Sequence, residues 1–319
     1  MLSRIASTFN KLGNLLYESG DYDAAIRVYQ EGLKVERGCF DPSHQNIVIT
    51  LTNIGQIYKI KGKYNEALDM YNQAIDIQKK TLDDSDPNIS ATLAVVGLIH
   101  YQMGDYNAAL DVYQEALRIQ RDAYGDMHLD VASTLNFIGL VLYKMQLHEV
   151  ALQSFHESLR IRYELLHKDH RECSIVLYNI GTIYLESGDD EEAMTYYRET
   201  LRVERVALGP KHKAVLETMQ HIGQVHQKRG ELDEAIEYFR EVLAIRMEDP
   251  SPDFAAIAKT YNFIGNVYLQ RGQTVPMIDA FSEALRSFRR AGESDEELVI
   301  SGFNFYGLAK SHPEAAPVA

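Results

Sequence analysis

A glycine that recurs at a fixed interval is the feature that most constrains the fold of this chain. Eight glycines, named marker glycines below, stand 42 residues apart without insertion or deletion: Gly13, Gly55, Gly97, Gly139, Gly181, Gly223, Gly265 and Gly307. A constant period of this length is typical of stacked-repeat proteins, in which each unit packs on its neighbours and the array grows in one direction. The 319 residues therefore predict one array rather than several separate cores.

Around each marker glycine, the spacing of apolar residues predicts an α-helix. In the second repeat, the residues Ile47, Leu51, Ile54 and Tyr58 are separated by the three- and four-residue steps that place side chains on one helical face. A second glycine often stands seven residues after the marker glycine and predicts the end of this first helix in a left-handed residue and a short turn. These second glycines are Gly20, Gly62, Gly104, Gly188, Gly230 and Gly272.

A second helix follows in each repeat, and three of its positions are nearly constant. In repeat two these are Ala67, the aromatic Tyr71 and Ile75, at twelve, sixteen and twenty residues after the marker glycine. Glycine and alanine let two antiparallel helices approach closely, and the aromatic ring fills the space between neighbouring repeats. Because the aromatic residue recurs in all seven repeats, we interpret it as core and not as part of a ligand site.

These recurring residues resemble the tetratricopeptide repeat in the marker glycine, the tyrosine three residues later, and the alanine and aromatic residue of the second helix. That repeat usually has about 34 residues, and the extra length here falls at the end of the second helix and in the following loop. The loop before each first helix (residues 124–128, for example) and the segment that follows it (131–136) resemble the 42-residue repeats of kinesin light chains. The resemblance covers about residues 5–309 and implies a helical scaffold that binds other proteins.

Two departures from kinesin light chains limit what this resemblance implies. A light chain carries a heptad coiled coil before its repeats, which holds the heavy chain, whereas here the repeats begin at once. The marker residue is glycine throughout, where light chains commonly have alanine. We therefore do not expect this chain to be a kinesin subunit.

The predicted fold is all-α, a right-handed α-solenoid of seven tetratricopeptide helix pairs plus a C-terminal capping helix. Residues 1–310 are predicted to form this single solenoid, with the capping helix at residues 297–308, and residues 311–319 to form a disordered tail. The acid-poor residues 1–9 fit either a mitochondrial transit peptide or the first helix of repeat one. Their alignment with the apolar positions of repeat two favours the helix.

The acidic composition argues against two classes of partner. A net charge of −14 and a pI of about 5.2 disfavour nucleic acid, whose binding requires a basic surface, and an anionic membrane surface. No stretch approaches the roughly 18 apolar residues of a membrane span. Cys173 stands at a predicted core position and Cys39 lies in a loop three repeats away, so we expect no disulfide and predict a reducing, cytoplasmic location.

No arrangement of residues in the sequence predicts catalysis or a metal site. Four histidines stand eleven residues before marker glycines and predict a contact at the start of a helix: His44, His128, His170 and His212. No cluster of cysteines or carboxylates completes a zinc site around them. Adjacent carboxylates at 191–192 and 296–297 stand at predicted helix starts, where they suit the helix dipole. We therefore predict a non-enzymatic protein with no cofactor, no metal and no small-molecule substrate.

The positions that vary from repeat to repeat predict the binding surface. The first helices of such a solenoid line its concave face. The first-helix positions that are not needed for packing carry amides at the two ends of the array and apolar residues at its centre. Five lysines and three glutamates share these offsets, so the groove is predicted to be slightly basic. The residues predicted to line it are Asn10, Asn14, Asn53, Gln56, Lys59, Leu98, Tyr101, Asn136, Phe137, Leu140, Tyr143, Lys144, Asn179, Gln220, Gln224, Asn262 and Asn266.

Two interpretations of this groove stay open at the level of sequence. In the first, the protein is an adaptor or scaffold whose groove binds a linear peptide segment of another protein. The amides would then bind the extended backbone and the apolar centre would take large side chains, and the light-chain resemblance implies an aromatic-plus-acidic segment. In the second, the protein is a self-assembling structural solenoid whose apolar centre packs on another copy or on its own tail.

Overall fold

The computed structural model of the protein describes residues 2–41 and 43–292, and within them the chain forms fourteen α-helices and no β-strand. The helices of repeats one to four are α1 (Leu2–Glu18), α2 (Tyr22–Cys39), α3 (Gln45–Ile60), α4 (Tyr64–Thr81), α5 (Pro87–Met103), α6 (Tyr106–Tyr124), α7 (Leu129–Lys144) and α8 (His148–Leu166). Those of repeats five to seven are α9 (Arg171–Ser187), α10 (Asp190–Leu208), α11 (Lys213–Lys228), α12 (Leu232–Met247), α13 (Phe254–Gln270) and α14 (Thr274–Ala291).

The helices pack as consecutive pairs, as the repeat predicts. Within repeats, α1 packs on α2, α3 on α4 and α5 on α6, and the same holds for α9 with α10, α11 with α12 and α13 with α14. Each of α2, α4, α6, α10 and α12 also packs on the first helix of the next repeat. The all-α fold of tetratricopeptide-like helix pairs is confirmed.

The chain divides into two compact units, whose boundary in the sequence falls between Leu165 and Leu166. Unit one contains α1–α8 and unit two contains α9–α14. The extent of a single solenoid over residues 1–310 stays a prediction. The capping helix expected at 297–308, the carboxylates at 296–297 and the tail expected at 311–319 lie outside the described residues.

The marker glycines hold the two helices of a repeat close together. A Cβ atom at Gly55 would lie 2.9 Å from the ring of Tyr71, and one at Gly139 would lie 2.7 Å from the ring of Phe155. Both distances are well inside van der Waals contact, so the ring of the second helix occupies the space that any larger residue would need. All seven of these aromatic residues are at most 3% exposed, which confirms their assignment to the core.

The turns between helices also follow the sequence pattern. Gly104 and Gly188 end α5 and α9 in the left-handed conformation, and Gln146 takes the same conformation (φ 62°) in repeat four, where the glycine is missing. Each recurring loop histidine is the N-cap of the next first helix, and its Nδ1 accepts a hydrogen bond from the backbone N–H two residues later. This confirms the predicted contact at the helix start. Asp86 and Asp253 cap α5 and α13 instead.

The N-terminal segment, the cysteines and the length of the helices bear on the remaining predictions from the sequence. Residues 2–18 are helical, in agreement with the interpretation of this segment as the first helix of repeat one. Cys173 is fully buried, and both cysteines are free thiols. Among the described residues, no helix is long and apolar enough to cross a membrane.

Candidate partner-binding groove

The predicted groove residues of unit one lie on its four first helices, α1, α3, α5 and α7, and we name this set the groove face. Most of its members are half-buried: Asn10, Asn53, Gln56, Lys59, Leu98, Tyr101, Phe137, Leu140 and Tyr143. Asn14 and Lys144 are exposed, and Asn136 is buried. In unit two, Asn179, Gln224, Asn262 and Asn266 are half-buried and Gln220 is buried.

At the repeat-one end of the groove face, the predicted amides come together around a small concavity. Asn14, Asn53 and Gln56 line a cavity of about 260 Å³ together with Tyr29 and Glu18. The Tyr29 hydroxyl donates a hydrogen bond to Oδ1 of Asn14, and the Tyr71 hydroxyl donates one to Oε1 of Gln56 (3.3 Å). Two of the three amide oxygens therefore satisfy buried tyrosines, which leaves the amide N–H groups to face the cavity.

Two predicted groove residues are instead committed to contacts between repeats. Asn10 donates to Oε1 of Glu36 (2.9 Å) and accepts from the Thr50 hydroxyl (3.0 Å). In unit two, Gln220 accepts from Arg246 (2.8 Å) and donates to Thr260 (3.4 Å). Both amides use their oxygen and their nitrogen inside the fold.

The centre of the groove face is aromatic and apolar. The ring of Phe137 on α7 stacks on Tyr113 of α6, with centroids 5.5 Å apart and planes 3° from parallel. Leu98 and Leu140 occupy the position immediately after the marker glycine, where repeats one and two have amides. Lys144 at the end of α7 lies over the ring of Tyr143, 5.2 Å from its centroid.

Leu98 changes the chemistry of the tyrosine beneath it. Tyr29 and Tyr71 each find a hydrogen-bond acceptor at the position after the marker glycine, whereas the Tyr113 hydroxyl is buried without a hydrogen-bond partner among the described residues. Burial raises the pKa of Tyr113, so the phenol stays neutral. The groove face thus changes from hydrogen-bonded tyrosines in repeats one and two to an apolar surface in repeats three and four.

Unit two carries an aromatic cluster that the sequence prediction missed. The Tyr178 hydroxyl and Nε2 of His221 are 2.7 Å apart, and the His221 ring stacks on Tyr197 with centroids 5.4 Å apart. Burial lowers the pKa of His221, while a hydrogen bond with Gln224 acts in the opposite direction. Tyr178 stands three residues before its marker glycine, as Asn10 and Asn136 do, and His221 stands two before, as Asn53 and Phe137 do. These shared offsets are the signal that identifies the pair.

A second missed feature is a buried polar residue where neighbouring repeats meet, which we name the seam position. It stands 23 residues after the marker glycine, near the end of the second helix, and no occupant in repeats one to six is more than 6% exposed apart from Arg246 at 9%. The six occupants are Glu36, Gln78, Gln120, Arg162, Glu204 and Arg246. Its fixed offset is visible in the sequence, but its chemistry changes between repeats.

Three of the seam residues, Gln78, Glu204 and Arg246, bond to the first helix of the next repeat. Gln78 donates to the carbonyl of Asn88 (3.2 Å), and Oε2 of Glu204 accepts from the Thr218 hydroxyl (2.8 Å). Burial raises the pKa of both Glu36 and Glu204, and hydrogen bonds to the carboxylates oppose it only in part. The free energy of unfolding should therefore depend on pH through these two carboxyl groups. Both are buried between repeats.

Unit two also contains a larger cleft, of about 600 Å³, where α11 and α13 meet the end of α12. Of the predicted groove residues, only Gln220 lines it. Residues 248–253, which follow α12, form part of its wall. Within the described parts of both units, no group of three or more His, Cys, Asp or Glu side chains is arranged to hold a metal ion.

Comparison with protein families gives five overlapping matches to the tetratricopeptide repeat. They cover residues 4–80, 50–122, 88–164, 130–204 and 172–248. The matched segments together span more than half of the chain, and they coincide with the helix pairs of the first six repeats. No curated protein matches the chain.

Three solved structures illustrate the likeness in fold. BtubC (BKLC) from P. vanneervenii is 16% identical, with a TM-score of 0.60, over 79% of this chain and 95% of that one. The apo form of the quorum sensor NprR from B. thuringiensis is 15% identical, with a TM-score of 0.60, over 96% and 87%. The apo form of RapI is 18% identical, with a TM-score of 0.60, over 84% and 98%. At these identities the likeness concerns the fold alone.

Proposed function

Because this chain belongs to the tetratricopeptide repeat family, we propose that it is a non-enzymatic adaptor or scaffold that binds a linear segment of a partner protein on its groove face. The repeat scaffold is consistent with protein–protein interaction. The groove-face residues of repeats one to four would supply the binding surface, and the partner would be a protein or peptide.

The apolar centre of the groove face is the observation that carries this proposal. Leu98, Tyr101, Phe137, Leu140 and Tyr143 are half-buried and stand at groove positions of two consecutive first helices, α5 and α7. Apolar surface that stays exposed is costly in water, and in proteins it commonly marks an interaction site. Large apolar side chains of a partner segment would remove this surface from water.

Polar groups on either side of the centre fit the rest of an extended segment. The amide N–H groups around the 260 Å³ cavity can bind backbone carbonyls of the segment. Lys59 and Lys144 make no ion pair within the described residues. These two cations favour a segment that carries acidic residues beside its apolar ones.

The proposal is tested by removing the apolar centre without changing the scaffold. The double variant Leu140→Asp, Tyr143→Ala and wild type would be used to capture partners from the native cell extract, with quantitative mass spectrometry of the captured proteins. Loss of at least tenfold of a specific partner is expected. The matched control is Val150→Asp, Leu165→Ala, because both of these side chains are exposed on the second helix α8.

Melting curves of both double variants check that the fold survives. Equal capture by wild type, the groove-face variant and the control would contradict binding at this surface. Capture that falls in both double variants alike would point to a general loss of folding or solubility and would also not support the groove face.

Self-assembly is a second candidate, favoured by a different observation. Leu15, Leu12 and Ile5 of α1 are 63%, 45% and 39% exposed. A second copy would cover this surface. Light scattering over a concentration series tests it. A constant monomer mass excludes self-assembly, and an oligomer that Leu12→Glu, Leu15→Glu disrupts supports it.

A further inference from the structure

The cleft of unit two has an apolar wall and equal numbers of acidic and basic side chains. Leu216 of α11, Ile245 of α12 and Phe263 of α13 line it, so it can take aliphatic or aromatic groups. Its volume of about 600 Å³ falls within the range of about 300–1,000 Å³ that is usual for ligand pockets. Four carboxylates and four cations also line it, so their charges balance, and the pairing among them determines which cationic side chains are available to a ligand.

Two of the four carboxylates of the cleft pair with a lysine, and the other two keep their charge and accept hydrogen bonds from backbone N–H groups. Glu248 lies 2.9 Å from Lys211, and Glu217 lies 3.7 Å from Lys213. The pKa of Glu248 is lowered by its hydrogen bond to Lys211. Asp249 accepts from the backbone N–H of Ser251 and Asp253 from that of Ala256, both at 2.9 Å.

The two remaining cations, Arg246 and Lys259, have no carboxylate within ion-pair distance among the described residues. Lys259 is exposed on α13, whereas Arg246 at the seam position is only 9% exposed. Burial lowers the pKa of Arg246, and Asp253 and Glu217 oppose this only from a greater distance. A buried guanidinium without a contacting carboxylate is costly, because its charge has been taken out of water.

The hydrogen bonds of Arg246 leave part of its guanidinium available. Nη1 donates to the Ala256 carbonyl and the Thr260 hydroxyl, both at 2.7 Å, and Nη2 donates to Oε1 of Gln220 at 2.8 Å. These three acceptors are uncharged. A guanidinium has five N–H groups, so one on Nε and one on Nη2 have no acceptor within the described residues.

We propose that this cleft is a second binding site, which takes a glutamate side chain of a partner peptide. The carboxylate binds the free N–H groups of Arg246, Lys259 adds its charge at the rim, and the aliphatic neighbours of the glutamate pack on Leu216, Ile245 and Phe263. Charge-assisted hydrogen bonds from arginine to a carboxylate are among the strong ones in proteins. The cleft lies wholly within residues 211–263, so this site stands independently of the groove face of unit one.

The repeats themselves supply a substitution that removes the charge with little risk to the fold. The seam position is glutamine in repeats two and three, at Gln78 and Gln120, where the side chain is buried at the corresponding place in the repeat. Arg246→Gln therefore replaces the arginine by a residue that this position accommodates elsewhere in the chain. The matched control is Arg240→Gln on the same helix, because Arg240 is exposed and its one hydrogen bond within residues 2–41 and 43–292 is to the Tyr268 hydroxyl.

The probe is the capped tripeptide N-acetyl-Leu-Glu-Leu-amide, compared with its Leu-Gln-Leu counterpart. Both would be titrated to millimolar concentration into the full chain, with detection by NMR of the arginine Nε–H signals, and the Arg246 signal assigned as the one that Arg246→Gln removes. The expected result is a saturable shift of that signal with the glutamate peptide and at least tenfold weaker binding of the glutamine peptide. Backbone amide shifts should show at least tenfold weaker binding of the glutamate peptide to Arg246→Gln and unchanged binding to Arg240→Gln.

Three outcomes would overturn the proposal: no shift of the Arg246 signal, equal binding of the two peptides, or undiminished binding to a folded Arg246→Gln variant. The variant Leu140→Asp, Tyr143→Ala separates the two sites, since it should bind the tripeptide like wild type even if it no longer captures a partner. Loss of tripeptide binding in that variant would place the site on the groove face and contradict the assignment to unit two.

Discussion

Repeats one and two and repeats three and four share one scaffold but present different surfaces. In repeats one and two the buried tyrosines Tyr29 and Tyr71 donate to amides that stand just after the marker glycine. In repeats three and four, leucines occupy that position, and the aromatic residues beneath them are Tyr113, whose hydroxyl is unpartnered among the described residues, and Phe155. A single position therefore decides whether the groove face is polar or apolar without changing the helix packing.

The comparison separates what the fold requires from what function can use. The marker glycine and the aromatic ring against it are fixed by close packing, since even one added carbon would collide with the ring. The residue after the glycine faces outward and tolerates both amides and leucines. Under the proposed function, differences between repeats at such positions determine which partner is bound.

The largest expected effect is on partner binding, and it should differ between the two regions. Leu140→Asp, Tyr143→Ala in repeat four should weaken partner binding by at least about thirtyfold, or about 2 kcal/mol, because a charge replaces buried apolar contact. Asn53→Ala, Gln56→Ala in repeat two should weaken it by less than about tenfold, since neutral hydrogen bonds contribute about 1 kcal/mol net. Titration calorimetry with the partner segment measures both. An equal loss for the two variants would remove the distinction between an apolar centre and an amide end.

The seam position predicts a pH-dependent difference in stability. Burial raises the pKa of Glu36 in the folded state, so its contribution is most favourable below the unfolded pKa and is lost as pH rises through the folded pKa. Glu36→Gln should therefore raise the melting temperature at pH 7–8, by about 2–4 °C if the gain is about 1 kcal/mol, and give no gain near pH 4. The reverse change Gln120→Glu should lower it at pH 7–8. Calorimetry at the two pH values checks both, and a pH-independent shift of either variant would contradict this explanation.

Removal of single hydroxyl groups tests the contrast between the two regions more finely. Tyr71→Phe should cost about 0.5–1.5 kcal/mol because Gln56 loses its donor, whereas Tyr113→Phe removes a buried hydroxyl without a partner and should be neutral or stabilising. Urea unfolding of the two variants side by side gives the comparison. If both lose the same stability, the Tyr113 hydroxyl has a partner that the described contacts do not include.

The smallest effect on stability is expected when a residue of repeat three is replaced by its counterpart in repeat two. Leu98→Gln in repeat three copies the residue of repeat two and offers an acceptor to Tyr113, which should offset most of the loss of apolar surface and leave stability within about 0.5 kcal/mol. Partner binding should nevertheless weaken severalfold, since part of the apolar centre is gone. A clear loss of stability without any change in binding would contradict the role assigned to Leu98.

Much of the fold could be predicted from the sequence because it depends on repetition. Gly55 and Tyr71 recur in nearly every repeat, since every repeat must pack in the same way, and His44 recurs because each first helix needs a cap. The face on which a residue lies also follows from its offset. Helical spacing alone is sufficient for these conclusions.

The parts that sequence reasoning did not reach depend on partners across helices. Asn10 has a groove offset, but its hydrogen bonds run to Glu36 and Thr50, 26 and 40 residues away. The seam position escaped notice because its occupants change from acid to amide to arginine, so it does not look like a constant feature. The cleft beside Arg246 arises where residues 248–253 follow α12, and nothing in the 42-residue period predicts that opening.

The most direct measurement of the central claim is site-specific photo-crosslinking from the groove face. A photoreactive phenylalanine analogue would be placed at Leu140 in repeat four, at Asn53 in repeat two, or at Val150 on the second helix of repeat four, in the full chain in its native cell. The proposed function predicts one specific crosslinked partner from Leu140, a weaker crosslink to the same partner from Asn53 and none from Val150, with the Leu140 crosslink abolished by Tyr143→Ala. A partner crosslinked equally from Val150, or a Leu140 crosslink that Tyr143→Ala leaves intact, would contradict it.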